Sequence, residues 1–104
     1  MMKINGFNIV GVLFLFLLAG CGTVGNNFDS SQVSSIQNNV TSQTEILDKF
    51  GSPYKEGMEN GKVMWTYQFD QWNALSQAKS KDLVILFDEN NIVRADRYTT
   101  SEPE

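Results

Sequence analysis

The chain has 104 residues, with 8 Lys and Arg against 12 Asp and Glu, a net charge of −4, no histidine and a single cysteine. An acidic balance argues against a nucleic-acid partner, since phosphate binding needs clustered positive charge. The missing histidine and lone cysteine remove the usual groups for zinc binding, imidazole catalysis, thiol chemistry and an internal disulfide, so no catalytic residue, metal or cofactor is expected and the chain is not read as an enzyme.

In chain order, Lys3 gives a thin positive start, residues 9–18 form an apolar run broken only by Gly11, and Leu18-Ala19-Gly20-Cys21 closes it with small residues. Such a run falls well short of the ~20 apolar residues a membrane span needs, so residues 1–20 read as a cleaved signal peptide. The closing tetrapeptide resembles the bacterial lipobox. That resemblance implies diacylation of the Cys21 sulfur, cleavage before it and acylation of the new amino group, which makes Cys21 the lipid attachment residue. Several acyl chains anchor stably where one is marginal. Gly22 stands where an aspartate would resemble an inner-membrane retention signal, so the same resemblance points to the outer membrane. Loss of residues 1–20 takes away Lys3 alone among the charges and leaves chain for one modest domain.

Residues 21–28 are small, polar and Gly-rich, the composition of a lipidated flexible tether. Asp29 or Ser30 is suited to cap a short helix carrying Val33 and Ile36, closed at Asn38-Asn39 because Asn tolerates the left-handed conformation. A second helix is better signalled. Ser42-Gln43-Thr44-Glu45 matches a capping box, Ile46, Leu47 and Phe50 lie at helical spacing, Gly51 sits at the stop position and Pro53 blocks continuation.

Beyond Pro53 the period becomes two, with Val63, Trp65, Tyr67 and Phe69 on one side and Met64, Thr66, Gln68 and Asp70 on the other. Asn60-Gly61 is a strong hairpin signal that should pair residues 54–59 with 62–70. Residues 71–80 read as a polar connection. Residues 81–88 read as a strand with Leu83, Ile85 and Phe87 on one side and Val84 and Leu86 on the other; Glu89-Asn90-Asn91 turns into a last strand over 92–98. Residues 99–104 look like a frayed acidic tail. The fold class expected is therefore α+β: a domain at 29–98 with two N-terminal helices packed on a three- to four-stranded antiparallel meander sheet.

Ile36-x-x-Asn39-x-Thr41, Glu45, Phe50-Gly51-x-Pro53, Asn60-Gly61, Trp65-x-Tyr67 and the closing run Leu83 to Phe87 with Ile92-Val93 resemble, in that order, the SmpA/OmlA (BamE-like) family of small outer-membrane lipoproteins. The likeness spans about residues 28–97. Asn39 departs from the family's glycine while keeping a residue that tolerates positive φ. A second departure is the short stretch between Cys21 and Asp29, where the family's best-known member has a longer segment. The resemblance implies a non-catalytic accessory of outer-membrane β-barrel assembly or envelope integrity. Such a protein is held to the outer membrane by its N-terminal lipid, faces the periplasm, and has envelope proteins such as barrel-assembly subunits as partners. The alternative is a stand-alone lipoprotein, similar to the osmotically induced group or encoded by a mobile element, that binds or inhibits another envelope protein.

Trp65 and Tyr67 read as core, with the phenol hydroxyl seeking a hydrogen bond. Trp72 lies in the polar connection with Phe69 and Leu75 nearby in sequence, and these three are the candidate partner-binding residues. The other reading of Trp72 is that it folds back over the end of the sheet. Asp88-Glu89-Asn90-Asn91 is oxygen-rich but lacks the spacing of a calcium loop and reads as a turn. Asp82, Asp88 and Asp96 read as solvated charges rather than a catalytic pair.

Overall fold

The computed structural model describes residues 22–74 and 76–102. The signal peptide at 1–20, the lipid attachment at Cys21, the candidate contact residue Leu75 and the end of the tail lie outside the described residues. Five strands, β1 (Gly22–Gly25), β2 (Lys55–Glu59), β3 (Lys62–Asn73), β4 (Ser76–Phe87) and β5 (Val93–Thr100), form a single antiparallel sheet. Among the described residues, one α-helix, α1 (Gln43–Phe50), and a six-residue 3-10 segment, Ser30–Ser35, complete the regular structure.

Strand order is β1-β3-β4-β5, with β2 also on β3. Because β4 occupies one edge of β3 along most of its length, β1 and β2 share the other edge, β2 against Lys62–Thr66 and β1 against Phe69–Trp72. Between them the ladder continues through Tyr54 N–H to the Thr66 carbonyl at 2.9 Å and Asn26 N–H to the Gln68 carbonyl at 3.0 Å.

The expected architecture of two N-terminal helices packed on a three- to four-stranded meander is therefore corrected: the domain is mostly a five-stranded antiparallel sheet with two short helices, of which only α1 is α-helical. The segment after Asp29 does cap, its carboxylate accepting from Ser31 N–H at 3.0 Å. It stays in 3-10 form because serines compete with the helix for backbone groups, as Ser35 Oγ does by donating to the Gln32 carbonyl at 2.6 Å. By Ile36 the backbone is already extended, at φ −72° and ψ 127°.

Three further expectations change with it. Gly22–Gly25, expected in a flexible tether, is strand β1, because the far half of β3 offers it a row of backbone partners. The polar stretch 71–80 continues β3 and β4 into a longer hairpin, paired at Gln71 with Lys79 and at Asn73 with Ser76. Polar side chains are no obstacle where both faces of a ribbon meet water. The tail begins later than residue 99: β5 runs to Thr100, and Ser101 N–H donates to the Ser80 carbonyl at 2.9 Å.

Locally signalled features form as their chemistry requires. Ser42 caps α1, its hydroxyl accepting from Glu45 N–H at 3.2 Å, and Gly51 ends it at φ 78°. Asn60 and Gly61, at φ 52° and 79°, make the two-residue hairpin turn in which both residues need positive φ. Asn39, at φ 68°, turns the chain so that its N–H reaches the Val93 carbonyl at 2.7 Å, while Val93 N–H reaches the Thr41 carbonyl at 2.8 Å. Buried Thr41 closes that turn by accepting from Gln37 N–H at 2.9 Å.

One sheet face carries the core. Trp65, Tyr67, Leu83, Ile85, Phe87 and Val93 are buried beneath Ile46 and Phe50 of α1 and beneath Phe28 from the loop after β1. The aromatic rings meet mainly edge to face, Trp65 with Phe87 at 5.0 Å between centroids and Phe28 with Tyr67 at 6.1 Å. Lys81 covers Phe28, its ammonium 4.8 Å from the ring centre and donating to the Phe28 carbonyl at 2.6 Å.

The Tyr67 hydroxyl finds its partner in the Gly51 carbonyl at 2.7 Å, tying the end of α1 to the sheet. Burial, with Glu56 adding to it, pushes the phenol up to about 12. A folded value above the ordinary one near 10 means that this group's contribution is complete below pH ~10 and is lost as pH rises through ~12. Tyr67→Phe is expected to lower stability at neutral pH by about 1 kcal/mol and to flatten the alkaline loss, as read by urea unfolding between neutral and high pH.

Candidate functional site

Two surfaces stand apart from the core. The first is the end of the β3–β4 hairpin. Alternation along β3 sends Phe69 to the core face, where it packs against the core cluster, and sends Trp72, three positions on, to the opposite face. The candidate contact residues Phe69 and Trp72 are therefore not brought together into one patch, and Leu75 lies outside the described residues. Trp72 is 40% exposed.

Its indole is placed by β1 rather than by the core. Gly22 is the register partner of Trp72, and a Cβ at residue 22 would come within 2.6 Å of the ring. The six-membered ring therefore lies on the bare backbone of Gly22. Gly25, at the other end of β1, has φ 78°, and a Cβ there would stand 1.9 Å from the Gln68 carbonyl oxygen. Both glycines let a short strand lie close against β3, a role their composition alone did not disclose.

The second surface is the sheet face turned away from α1. Met64, Leu86 and Ala95 are neighbours across β3, β4 and β5, as are Thr66, Val84 and Arg97. Together with Glu59 and Asp96 they line a shallow hollow. Burial raises the Asp96 carboxyl above its ordinary range. The signal for this face was present in the sequence, because five consecutive apolar residues from Leu83 to Phe87 oblige Val84 and Leu86 to leave the core side.

The Asp88 turn spends its oxygens internally: Oδ1 accepts from Asn90 N–H at 2.8 Å and from Ile92 N–H at 3.0 Å. That is the geometry of an Asx-type turn. Among the described residues no group of three or more acidic, histidine or cysteine side chains is placed to hold a metal ion, and no helix is long and apolar enough to cross a membrane.

The chain matches no protein-family model and no curated protein.

Proposed function

We propose that the chain is a non-catalytic lipoprotein of the outer membrane that works through protein–protein contacts on the periplasmic side, as an accessory in β-barrel assembly or envelope integrity. The observation that carries the anchored part of this reading is Leu18-Ala19-Gly20-Cys21 at the end of a short apolar run, followed at once by a folded strand at Gly22. The barrel-assembly part rests on the ordered motifs from Ile36 to Val93. The half-buried Met64, Val84 and Leu86 of the open sheet face supply apolar contact area for a partner.

One observation favours the second reading, a stand-alone lipoprotein that binds or inhibits another envelope protein. The β-rich architecture replaces the two helices that capping and periodicity lead one to expect over the segment carrying the family-like motifs. Affinity capture of the lipidated chain from detergent-solubilised envelopes, with Cys21→Ser as the mislocalised control, separates the two. Barrel-assembly subunits that copurify with the wild type and are lost with Cys21→Ser support the accessory role. An unrelated single protein, or no partner, sinks it in favour of the stand-alone reading.

A further inference from the structure

The path of the chain gives the hairpin end a second neighbour. β1 runs antiparallel to β3 with Gly22 beside Trp72 and Gly25 beside Phe69, so the chain enters the domain at the tip of the β3–β4 hairpin and runs toward the body. The residue before Gly22 is Cys21, whose Cα covalent geometry holds about 3.8 Å from that of Gly22. A lipid on Cys21 would thus be fastened one residue from the backbone on which the Trp72 indole lies.

The composition of the tip fits that position. From Trp72 to Ala78, and again from Gly22 to Phe28, the sequence carries no charged residue, while Lys79, paired with Gln71, and Asp70, paired with Val24, stand where the ladder leaves the tip. Placing the end beyond the Gln71–Lys79 pair in a headgroup layer desolvates no charge, whereas the turn ends at the other end of the sheet carry Lys62, Asp88 and Glu89. Trp72, with 40% of its surface open, is the residue type that favours this layer, its rings apolar and its indole N–H able to donate to a wet neighbour.

From these features, and resting on the lipidation of Cys21 proposed above, we infer that Trp72 and the uncharged end of the β3–β4 hairpin sit in the headgroup layer of the membrane that holds the chain. The Asn60-Gly61 and Asp88–Asn91 turns are then directed away from it. β3, at 12 residues, sets the far end of the sheet roughly 40 Å from the lipid. A short rigid attachment replaces the loose tether that composition suggests: β1 fixes the orientation of the domain, so the open sheet face stands at a defined angle to the bilayer. Because the residues from Trp72 to Ala78 carry no charge, their seating does not require an anionic headgroup.

The test uses the full lipidated chain, wild type and Trp72→Phe, in phosphatidylcholine vesicles with and without phosphatidylglycerol. Each preparation includes lipid bearing a quencher near the headgroup, and intact mass reports the acyl groups on Cys21. Trp65 is the only other tryptophan and is 6% exposed, so the difference between the two proteins isolates Trp72. The expected result is a loss of roughly half of the Trp72 emission, equal in both lipid mixtures, with Trp65 emission unmoved. An acylated chain whose Trp72 emission is not quenched, or is quenched only with phosphatidylglycerol, overturns this inference and leaves the lipoprotein reading standing. A chain without acyl groups on Cys21 overturns both.

Discussion

Phe87→Ala is expected to leave the domain largely unfolded at physiological temperature. Phe87 is fully buried at the end of β4 and meets Trp65 edge to face at 5.0 Å. Removing a buried phenyl costs ~3–5 kcal/mol, because the transfer energy of the lost atoms is joined by that of the cavity left behind. A domain of this size holds ~4–12 kcal/mol in total, so one ring accounts for a large share of the margin. Its neighbours offer no easy collapse: Ile46, Leu83, Ile85 and Val93 are all buried and anchored on backbone that is itself paired. Urea unfolding checks this, with Phe87→Leu as the milder companion, since leucine refills most of the volume. Equal midpoints for the alanine variant and the wild type would contradict the packing described here.

Gly25→Ala is expected to release β1 while the rest of the sheet persists. Two costs act together at this position. An L-residue at φ 78° is strained by ~1–2 kcal/mol, and the added Cβ would meet the Gln68 carbonyl oxygen at 1.9 Å, so the strand must move. Four register pairs with β3 are then lost, and with them the close lie of Gly22 under Trp72. Phe28 follows three residues later, so its contacts with Phe50, Tyr67 and Lys81 loosen as well. Amide exchange reads the outcome: the Asn26 N–H, bonded to Gln68 in the wild type, should exchange fast in the variant, while amides of the β3–β4 ladder stay protected. Continued protection at Asn26 would show that β1 tolerates the substitution. Because the same variant leaves Trp72 in the chain but lengthens the free segment before it, the quenching of Trp72 by lipid should weaken in parallel.

The candidate contact site shows how closeness along the chain misleads. Phe69, Trp72 and Leu75 follow one another at a spacing of three, and 71–80 reads as a polar connection with no period of its own. In an extended chain the same spacing alternates, so Phe69 joins the core and Trp72 leaves it. No residue in 71–80 forbids a helix or demands a strand. The long-range pairing of Gln71 with Lys79 decides it, by satisfying backbone groups that a loop would leave to water. Gly22 was even less legible, since its value is the room it leaves for an indole fifty residues away, and a glycine read along the chain looks like flexibility.

What the sequence determined by itself lies where cause and effect are a few residues apart. Ser42, Glu45 and Gly51 bound α1 through the hydroxyl and backbone conformation they supply, and Asn60-Gly61 sets the hairpin through positive φ. Strict alternation from Val63 to Phe69 and the apolar run from Leu83 to Phe87 choose the buried face. Tertiary structure alone decided the rest: β1 as a strand, the 3-10 form of Ser30–Ser35, the extension of the hairpin to Asn73 and Ser76, and the side on which Trp72 emerges. In each of these the local preference is weak, and the backbone takes whichever partners the folded sheet presents to it.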